Sequence, residues 1–142
     1  KNENLFFMPK FRSMVINSPN VATHKFKNPE MYFTPIGNFL RRTSLDELPQ
    51  LWSILKGDMS FVGPRPALFN QKDLILKRKK LGIHKIKPGL TGLAQINGRD
   101  ELSIDEKVKF DHLYLINQNL LYDFKIILQT VYKILKKEGV SH

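Results

Sequence analysis

Two adjacent carboxylates, Asp46 and Glu47, are the side chains of this 142-residue sequence whose placement most suggests chemistry. They stand where a helix is predicted to begin, because apolar residues follow them at helical spacing. Near the positive end of a helix dipole a carboxylate stays ionised, which suits a nucleophile or a ligand of Mg²⁺. Acidic residues are also common in the first turn of ordinary helices, so both could act only as caps.

Several cationic side chains could bind a phosphorylated ligand. Arg65 lies between Pro64 and Pro66, which restrict its backbone and leave its guanidinium little entropy to lose on binding. The planar fork of an arginine matches phosphate oxygens. Any one of these cations could instead be a solvated surface charge. The candidates are Lys10, Arg12, Arg41, Arg42, Arg65 and Arg99.

The charge balance predicts an anionic partner. Lysine and arginine number 23 against 13 acidic residues, a formal net charge of +10. Such an excess suits nucleic acid, a phosphate-rich substrate or an anionic membrane surface, although it can also serve solubility alone. No apolar run reaches the roughly 18–20 residues that cross a bilayer, and no signal peptide is recognisable. The chain starts without methionine and soon enters structured-looking sequence, so we interpret it as a fragment.

The signatures of several other classes are missing from the sequence. The four histidines show no ligand spacing, which argues against a zinc site. A phosphate-binding P-loop, a dinucleotide fingerprint and a Gly-x-Ser-x-Gly motif are absent. The aromatic residues are scattered, unlike those of a platform for single-stranded nucleic acid. Because there is no cysteine, the fold needs no oxidising compartment.

The element that carries the two carboxylates is predicted to be a helix that runs to about residue 56 and stops at Gly57. Its start has two alternatives. Ser44 and Glu47 could form a capping box, or Asp46 could be the N-cap with Pro49 inside the first turn. The segment 61–66 that follows, FVGPRP, is predicted to be irregular because of its two prolines.

Three further helices are predicted, over residues 68–81, 103–115 and 123–138, the last ended by Gly139. An apolar stripe on the last helix is more typical of a core than of a membrane contact, although the lysines off the stripe leave an interfacial role open. Residues 5–16 are a strand or an irregular piece, 17–35 a long loop, and 87–99 loops with one short strand. The stripe consists of Phe124, Ile127, Leu128, Val131, Ile134 and Leu135.

Four blocks of sequence carry a resemblance to a known family through both their residues and their order along the chain. They are PKFRSM at 9–14, RRTSLDELPQLWSILKGDMSFVGPRP at 41–66, KPGLTGLAQINGR at 87–99 and FDHLYLINQNLLYDFKIILQTV at 110–131. Together they closely resemble the bacterial sugar transferase family, the monotopic phosphoglycosyl transferases. The first block is similar to the family's Lys-Phe-Arg-Thr-Met signature, and the second matches its central block almost residue for residue. The resemblance covers nearly the whole chain.

The resemblance implies a specific reaction. A nucleotide-diphosphate sugar, expected to be a UDP-sugar, would give its sugar-1-phosphate to a polyprenyl phosphate such as undecaprenyl phosphate. Asp46 would be the nucleophile of a phosphosugar-aspartyl intermediate, with Glu47 as its partner and Mg²⁺ bound by both carboxylates. Cations would neutralise the diphosphate. Those carried over are Lys10, Arg12, Arg41, Arg65 and Arg99, with Gln95 and Asp111 at supporting polar positions.

We therefore predict one α+β domain over residues 1–142, mostly helical with minor strands and a membrane-interface face. The resemblance implies the cytoplasmic face of the bacterial cell membrane and the first membrane step of surface glycan synthesis, whether capsule, exopolysaccharide, O-antigen or glycoprotein glycan. Family members carry an N-terminal re-entrant membrane segment, and this chain begins just after that segment should end. The alternatives are a basic nucleic-acid-binding module, which would leave the carboxylate pair unexplained, and a non-catalytic peripheral membrane protein. We expect no nucleic-acid partner.

Overall fold

The fold combines helices with one small sheet. The structure is a computed structural model that describes residues 4–18, 29–98 and 101–136. This part of the chain confirms the predicted α+β class. Short 3-10 turns occur at Pro29–Tyr32, Leu45–Glu47 and Ile83–Lys85. The main elements, in chain order, are α1 (Gly37–Arg42), α2 (Gln50–Leu55), β1 (Ser60–Val62), α3 (Lys72–Lys80), β2 (Gly89–Thr91), α4 (Leu93–Ile96), α5 (Ile104–Asn117) and α6 (Leu120–Lys136).

The sheet is a parallel pair, β1 and β2, connected through α3. Ser60 lies opposite Gly89, and Val62 lies opposite Thr91. The backbones are so close that a Cβ on Gly89 would lie 2.1 Å from the nitrogen of Gly63. The prediction that residues 61–66 are irregular is wrong for the first two, because they pair with a strand that lies far along the sequence. The predicted short strand within 87–99 is confirmed, but α4 was not predicted.

The main core lies where α4, α5 and α6 pack against the sheet. Val62, Ile96, Tyr114 and Ile126 form its buried cluster. The phenol of Tyr114 donates a hydrogen bond of 2.8 Å to Asp123, and burial together with this carboxylate raises the pKa of Tyr114. This hydrogen bond ties the end of α5 to the start of α6. A second cluster, between α3, the following turn and α5, consists of Leu74, Ile83 and Val108.

The two C-terminal helices confirm the sequence prediction in position but not in their burial. α5 begins with a capping box in which Ser103 and Glu106 bond reciprocally, and this satisfies two backbone donors. On α6 the fully buried residue is Ile126, which does not belong to the predicted stripe. Four members of that stripe are exposed, namely Phe124, Leu128, Val131 and Leu135. None of the helices in the described part is long and apolar enough to cross a membrane.

Candidate active site

Asp46 and Glu47 lie in a 3-10 turn of their own, Leu45–Glu47, which precedes α2. Ser44 has φ 56° and ψ 17°, a left-handed conformation, and its hydroxyl makes no cap hydrogen bond. The N-cap position of α2 is occupied by Pro49. Both predicted starts of this helix are therefore wrong, because the chain bends at Ser44 and completes a separate turn first. The predicted end is confirmed, since Gly57 follows with φ 85°.

The turn buries both carboxylates. Asp46 is 8% exposed and Glu47 is 6% exposed. The N–H of Phe11 donates a hydrogen bond of 2.9 Å to the carbonyl of Asp46, so the N-terminal segment lies directly on the turn. Buried charges are costly unless cations or hydrogen-bond donors compensate them. This pair of acids therefore requires basic neighbours.

Two of the predicted cations meet on Glu47. Arg65 Nη2 donates to Glu47 Oε1 at 2.8 Å, and Lys10 Nζ donates to the same oxygen at 3.2 Å. The side chains of Arg65 and Lys10 are 31% and 32% exposed, whereas that of Glu47 is 7% exposed. Each cation thus keeps part of its surface open to a ligand. Phosphate oxygens could share both charges without displacing the carboxylate.

The ammonium of Lys10 is poorly solvated where it lies. Burial lowers its pKa most, and the nearby charge of Arg65 lowers it further. The charges of Glu47 and Asp46 act in the opposite direction. Two cations are therefore held close together by carboxylates, an arrangement that an additional anion such as a phosphate would stabilise.

The backbone around Arg65 is fixed from two sides. On the sheet side, the N–H of Gly63 donates to Thr91 at 2.9 Å, and the N–H of Gly89 donates to the carbonyl of Pro64 at 2.9 Å. On the other side, Arg78 Nη1 donates to the carbonyl of Arg65 at 2.8 Å. The guanidinium of Arg65 therefore projects from a loop with little freedom to move.

Arg78 is held in turn by Asp111, which is 1% exposed. Its Nε and Nη2 both donate to Asp111 Oδ2, at 2.9 Å and 2.6 Å. Burial raises the pKa of Asp111, and the charge of Arg78 opposes that rise. Asp111, predicted as a supporting residue, thus supports the Arg65 loop through Arg78 and does not contact Glu47 itself.

Sequence reasoning missed Arg78 because it lies within a basic run, residues 77–80, that is typical of a solvated helix end. A signal was nevertheless present. Arg78 follows Leu74 by four residues, so the two share a helix face, and Leu74 belongs to the buried core. It is also the arginine among three lysines, and arginine is the cation that suits buried bidentate pairing.

A cavity of about 370 Å³ lies beside the ion pair of Arg65 with Glu47, and both residues line its wall. Thr91 and Thr130 also line it, and their hydroxyls bond to each other at 2.7 Å. The remaining wall is mainly apolar and includes Leu90, Ile96, Ile127, Val131 and Ile134, while Lys133 of α6 adds a further cation. The site therefore combines charged groups with an apolar wall.

The structure brings only some of the predicted site residues to this cavity. Gln95 of α4 lines it together with Glu47 and Arg65. Arg41 instead lies over the ring of Phe33, at 5.2 Å from its centroid. Arg12 is exposed beside Phe11. The side chain of Arg42, the whole of Arg99 and most of the predicted loop 17–35 lie outside the described residues.

The carboxylate pair has the donor set that Mg²⁺ prefers, because carboxylate oxygens are hard ligands. In the described residues, no group of three or more histidine or acidic side chains could hold a metal ion by itself. Two adjacent carboxylates nevertheless fit the usual magnesium arrangement, in which one or two acids share the ion with water and substrate phosphates. Asp46 and Glu47 are therefore the residues that would hold it.

Comparison with known proteins points to one family. The model of the bacterial sugar transferase family matches residues 1–137. The chain is 45% identical over 132 residues to the UDP-glucose:undecaprenyl-phosphate glucose-1-phosphate transferase of Escherichia coli (strain K12), covering 87% of this chain and 28% of that protein. It is 38% identical to the undecaprenyl-phosphate galactose phosphotransferase of Salmonella typhimurium, covering 98% of this chain and 32% of the relative. It is 41% identical to the uncharacterized sugar transferase EpsL of Bacillus subtilis (strain 168), covering 96% and 66%. The chain thus spans about a third of the first two relatives and 66% of the third.

Proposed function

Because this chain belongs to the bacterial sugar transferase family, we propose that it transfers a sugar-1-phosphate from a nucleotide-diphosphate sugar to a polyprenyl phosphate. The donor is a uridine nucleotide sugar and the acceptor is undecaprenyl phosphate, by analogy with the names of its relatives. The observation that carries the proposal is the buried Asp46–Glu47 pair with Lys10 and Arg65 at its rim. This charged rim suits a diphosphate.

Asp46 is the nucleophile in this proposal. One of its carboxylate oxygens forms a bond to the phosphorus that bears the sugar, and the bond from that phosphorus to the bridging oxygen breaks. The nucleoside monophosphate leaves with the electron pair. An oxygen of the polyprenyl phosphate then bonds to the same phosphorus, and the bond to Asp46 breaks, which restores the carboxylate.

Electrostatics decide whether a carboxylate can approach a diphosphate. Arg65 and Lys10 place two positive charges beside the attacked group, and Glu47 fixes where those charges lie. A bound Mg²⁺, held by Asp46 and Glu47, would supply further positive charge against the phosphate oxygens. The rigid Pro64–Pro66 loop keeps the guanidinium in position, which lowers the entropy lost on binding.

The acceptor requires a membrane surface, and α6 has features that suit one. Its exposed apolar residues share the helix with lysines, a combination that favours the boundary between lipid headgroups and acyl chains. We therefore propose peripheral contact with the cytoplasmic face of the bacterial membrane, at the step that begins a surface glycan. The apolar residues concerned are Leu120, Leu121, Phe124, Leu128 and Leu135.

The test is the substitution Asp46→Asn, which removes the nucleophilic charge but keeps the side chain's shape. We expect loss of measurable release of UMP from a UDP-sugar panel in membranes that contain polyprenyl phosphate, with an unchanged melting temperature. The matched control is Asp73→Asn, which changes an exposed carboxylate in the first turn of α3. Near-normal turnover in Asp46→Asn would exclude this residue as the nucleophile. No UMP release by the unsubstituted protein from any UDP-sugar would favour a non-catalytic role.

A further inference from the structure

Lys133 of α6 is a cation on the cavity wall that has no counterion in the described part of the chain. It lines the cavity together with Arg65 and Glu47, which already form an ion pair with each other. Within the described residues, Lys133 makes neither an ion pair nor a hydrogen bond, and the residue is half-buried. A partly desolvated ammonium without a paired acid is costly, and a bound anion would remove that cost.

The other polar groups of the wall cannot take the place of this cation. Thr130 donates its hydroxyl hydrogen to a backbone carbonyl of α6 at 2.8 Å. Its oxygen lies 2.7 Å from the hydroxyl of Thr91, so Thr91 donates to Thr130 and neither keeps a hydrogen for an anion. The hydroxyl of Thr43 donates to backbone carbonyls, and the carboxamide of Gln95 is sealed from solvent. Ser44 offers a hydroxyl but no charge. The charge of an anionic ligand is therefore met by the cations of the wall.

The mouth of the cavity is apolar and continues into the exposed side of α6. Leu48, Phe61 and Val131 line the cavity and are also 46%, 53% and 50% exposed, so they lie where it opens. Val131 shares a helix face with Leu128 and Leu135, which are exposed as well. A ligand that suits both parts carries an anionic group for the interior and an apolar chain for the mouth. This description fits a lipid phosphate.

We propose that Lys133 is a phosphate-binding residue for the lipid acceptor, and that it acts in the second transfer step only. The acceptor's phosphate enters the cavity that Lys133 shares with Arg65, and the first units of its prenyl chain lie against the apolar mouth. The ammonium offsets the negative charge of this phosphate as its oxygen approaches the phosphosugar on Asp46. Lys133 itself forms no covalent bond and transfers no proton. This inference rests on the proposed function for the identity of the acceptor.

Equilibrium binding in detergent tests the proposal without any turnover. The probes are farnesyl phosphate, uncharged farnesol, inorganic phosphate and UMP. The unsubstituted protein should bind farnesyl phosphate at least about tenfold more tightly than farnesol or inorganic phosphate, because each of these lacks one half of the ligand. Lys133→Met keeps the length of the side chain but removes its charge. It should weaken the binding of farnesyl phosphate about tenfold and leave that of farnesol and UMP unchanged, and Lys133→Arg should restore most of the loss. Lys125→Met, at an exposed lysine of the same helix, is the matched control and should change none of these values.

Kinetics separate the two transfer steps. Without polyprenyl phosphate, the first step should release UMP once per active site, and Lys133→Met should leave that release unchanged. With polyprenyl phosphate, the KM for this lipid should rise about tenfold in Lys133→Met while the KM for the nucleotide sugar stays the same. A loss confined to the first release of UMP would place Lys133 in the donor step and overturn the proposal.

Three binding outcomes would also overturn it. Equal affinity of the unsubstituted protein for farnesyl phosphate and farnesol would show that the phosphate is not recognised, and this result needs no variant to fold. Inorganic phosphate bound as tightly as farnesyl phosphate would identify a site for free phosphate. Unchanged binding of farnesyl phosphate in Lys133→Met would exclude this residue. Lys133-dependent binding of farnesyl phosphate by a protein that releases no UMP from any UDP-sugar would refute the proposed function and leave the lipid phosphate site intact.

Discussion

Two arginine–carboxylate pairs lie on either side of one loop, and they differ in what surrounds them. Arg65 and Glu47 meet at the wall of the cavity, where the arginine side chain is 31% exposed. Arg78 and Asp111 meet beneath the same loop, where the exposed fractions are 11% and 1%. We call Arg65–Glu47 the open pair and Arg78–Asp111 the sealed pair. Arg78 also bonds to the carbonyl of Arg65, so the sealed pair positions the open pair.

The difference shows that the same type of ion pair can fix a loop in one place and remain available to a ligand in another. In the sealed pair, Arg78 bonds to buried Asp111 and to the carbonyl of Arg65, so the pair fixes the loop but offers nothing to a substrate. In the open pair, the side chains of Arg65 and Lys10 are 31% and 32% exposed, so phosphate oxygens can reach them. Loss of the sealed pair should therefore appear in stability, and loss of the open pair in turnover.

The largest expected effect comes from breaking the sealed pair. Asp111→Ala leaves Arg78 as a buried charge without its acid, which typically costs about 3–5 kcal/mol. We expect a loss of this size in the free energy of unfolding, measured by urea denaturation. Desolvation offsets much of the attraction within a buried ion pair, so replacing both residues together should cost less than replacing one. A loss below about 1 kcal/mol in Asp111→Ala would contradict the role of this pair.

The next effect separates the two arginines. Arg65→Lys removes the planar fork that can bind phosphate and carboxylate together, and one such contact in a closed site contributes about 2–4 kcal/mol. We expect kcat/KM to fall by roughly 30- to 1000-fold with little change in melting temperature. Arg78→Lys is the matched comparison. Unlike Arg65→Lys, it should lower the melting temperature. If Arg65→Lys kept normal kinetics, its role in phosphate binding would be excluded.

A third effect concerns pH and the ammonium of Lys10. Its pKa is lowered, chiefly by burial and then by Arg65, so it loses its proton below the usual lysine range. Burial of the charged ammonium therefore lowers the free energy of unfolding up to and beyond neutral pH. This destabilisation disappears as the pH rises from the pKa of Lys10 in the folded state to its pKa in the unfolded state. Turnover should therefore fall on the alkaline side while stability does not. Lys10→Arg keeps the charge and should move that fall in kcat/KM to higher pH. If kcat/KM fell over the same alkaline range in both proteins, a group other than Lys10 would be responsible for the fall.

The sequence predicted the elements whose signals are local. The helix predicted from residue 103 and the stop predicted at Gly57 are both confirmed, and both depend on residues that are neighbours in the chain. The family motifs drew attention to Asp46, Glu47 and Arg65 before any geometry was known. Their standing as catalytic and phosphate-binding residues stays a prediction that the substitutions above would test.

Other features depend on contacts between distant parts of the chain, which no local pattern encodes. β1 is a strand because β2 lies beside it, although the two prolines that follow it favour an irregular segment. Arg78 is a structural residue because Asp111 reaches it from α5, and within its basic run it resembles a surface charge. The stripe on α6 was assigned largely to the core because periodicity identifies an apolar face but does not say what covers it. The core accepts Ile126 instead, so much of the stripe remains exposed.

The smallest expected effect belongs to a third pair, Lys77 with Asp105, which joins α3 to α5 on the surface. The side chains are 43% and 78% exposed, so water and salt screen the attraction, and holding two flexible chains together costs entropy. A double-mutant cycle with Lys77→Met and Asp105→Asn should give a coupling free energy of no more than about 1 kcal/mol, falling further in high salt. The same cycle on Arg78 and Asp111 should give a larger value that salt barely changes, since that pair is closed to ions. A Lys77–Asp105 coupling as large and as salt-resistant as that of the sealed pair would mean that exposure is not what separates these interactions, and the contrast between the open and sealed arginines would lose its physical basis.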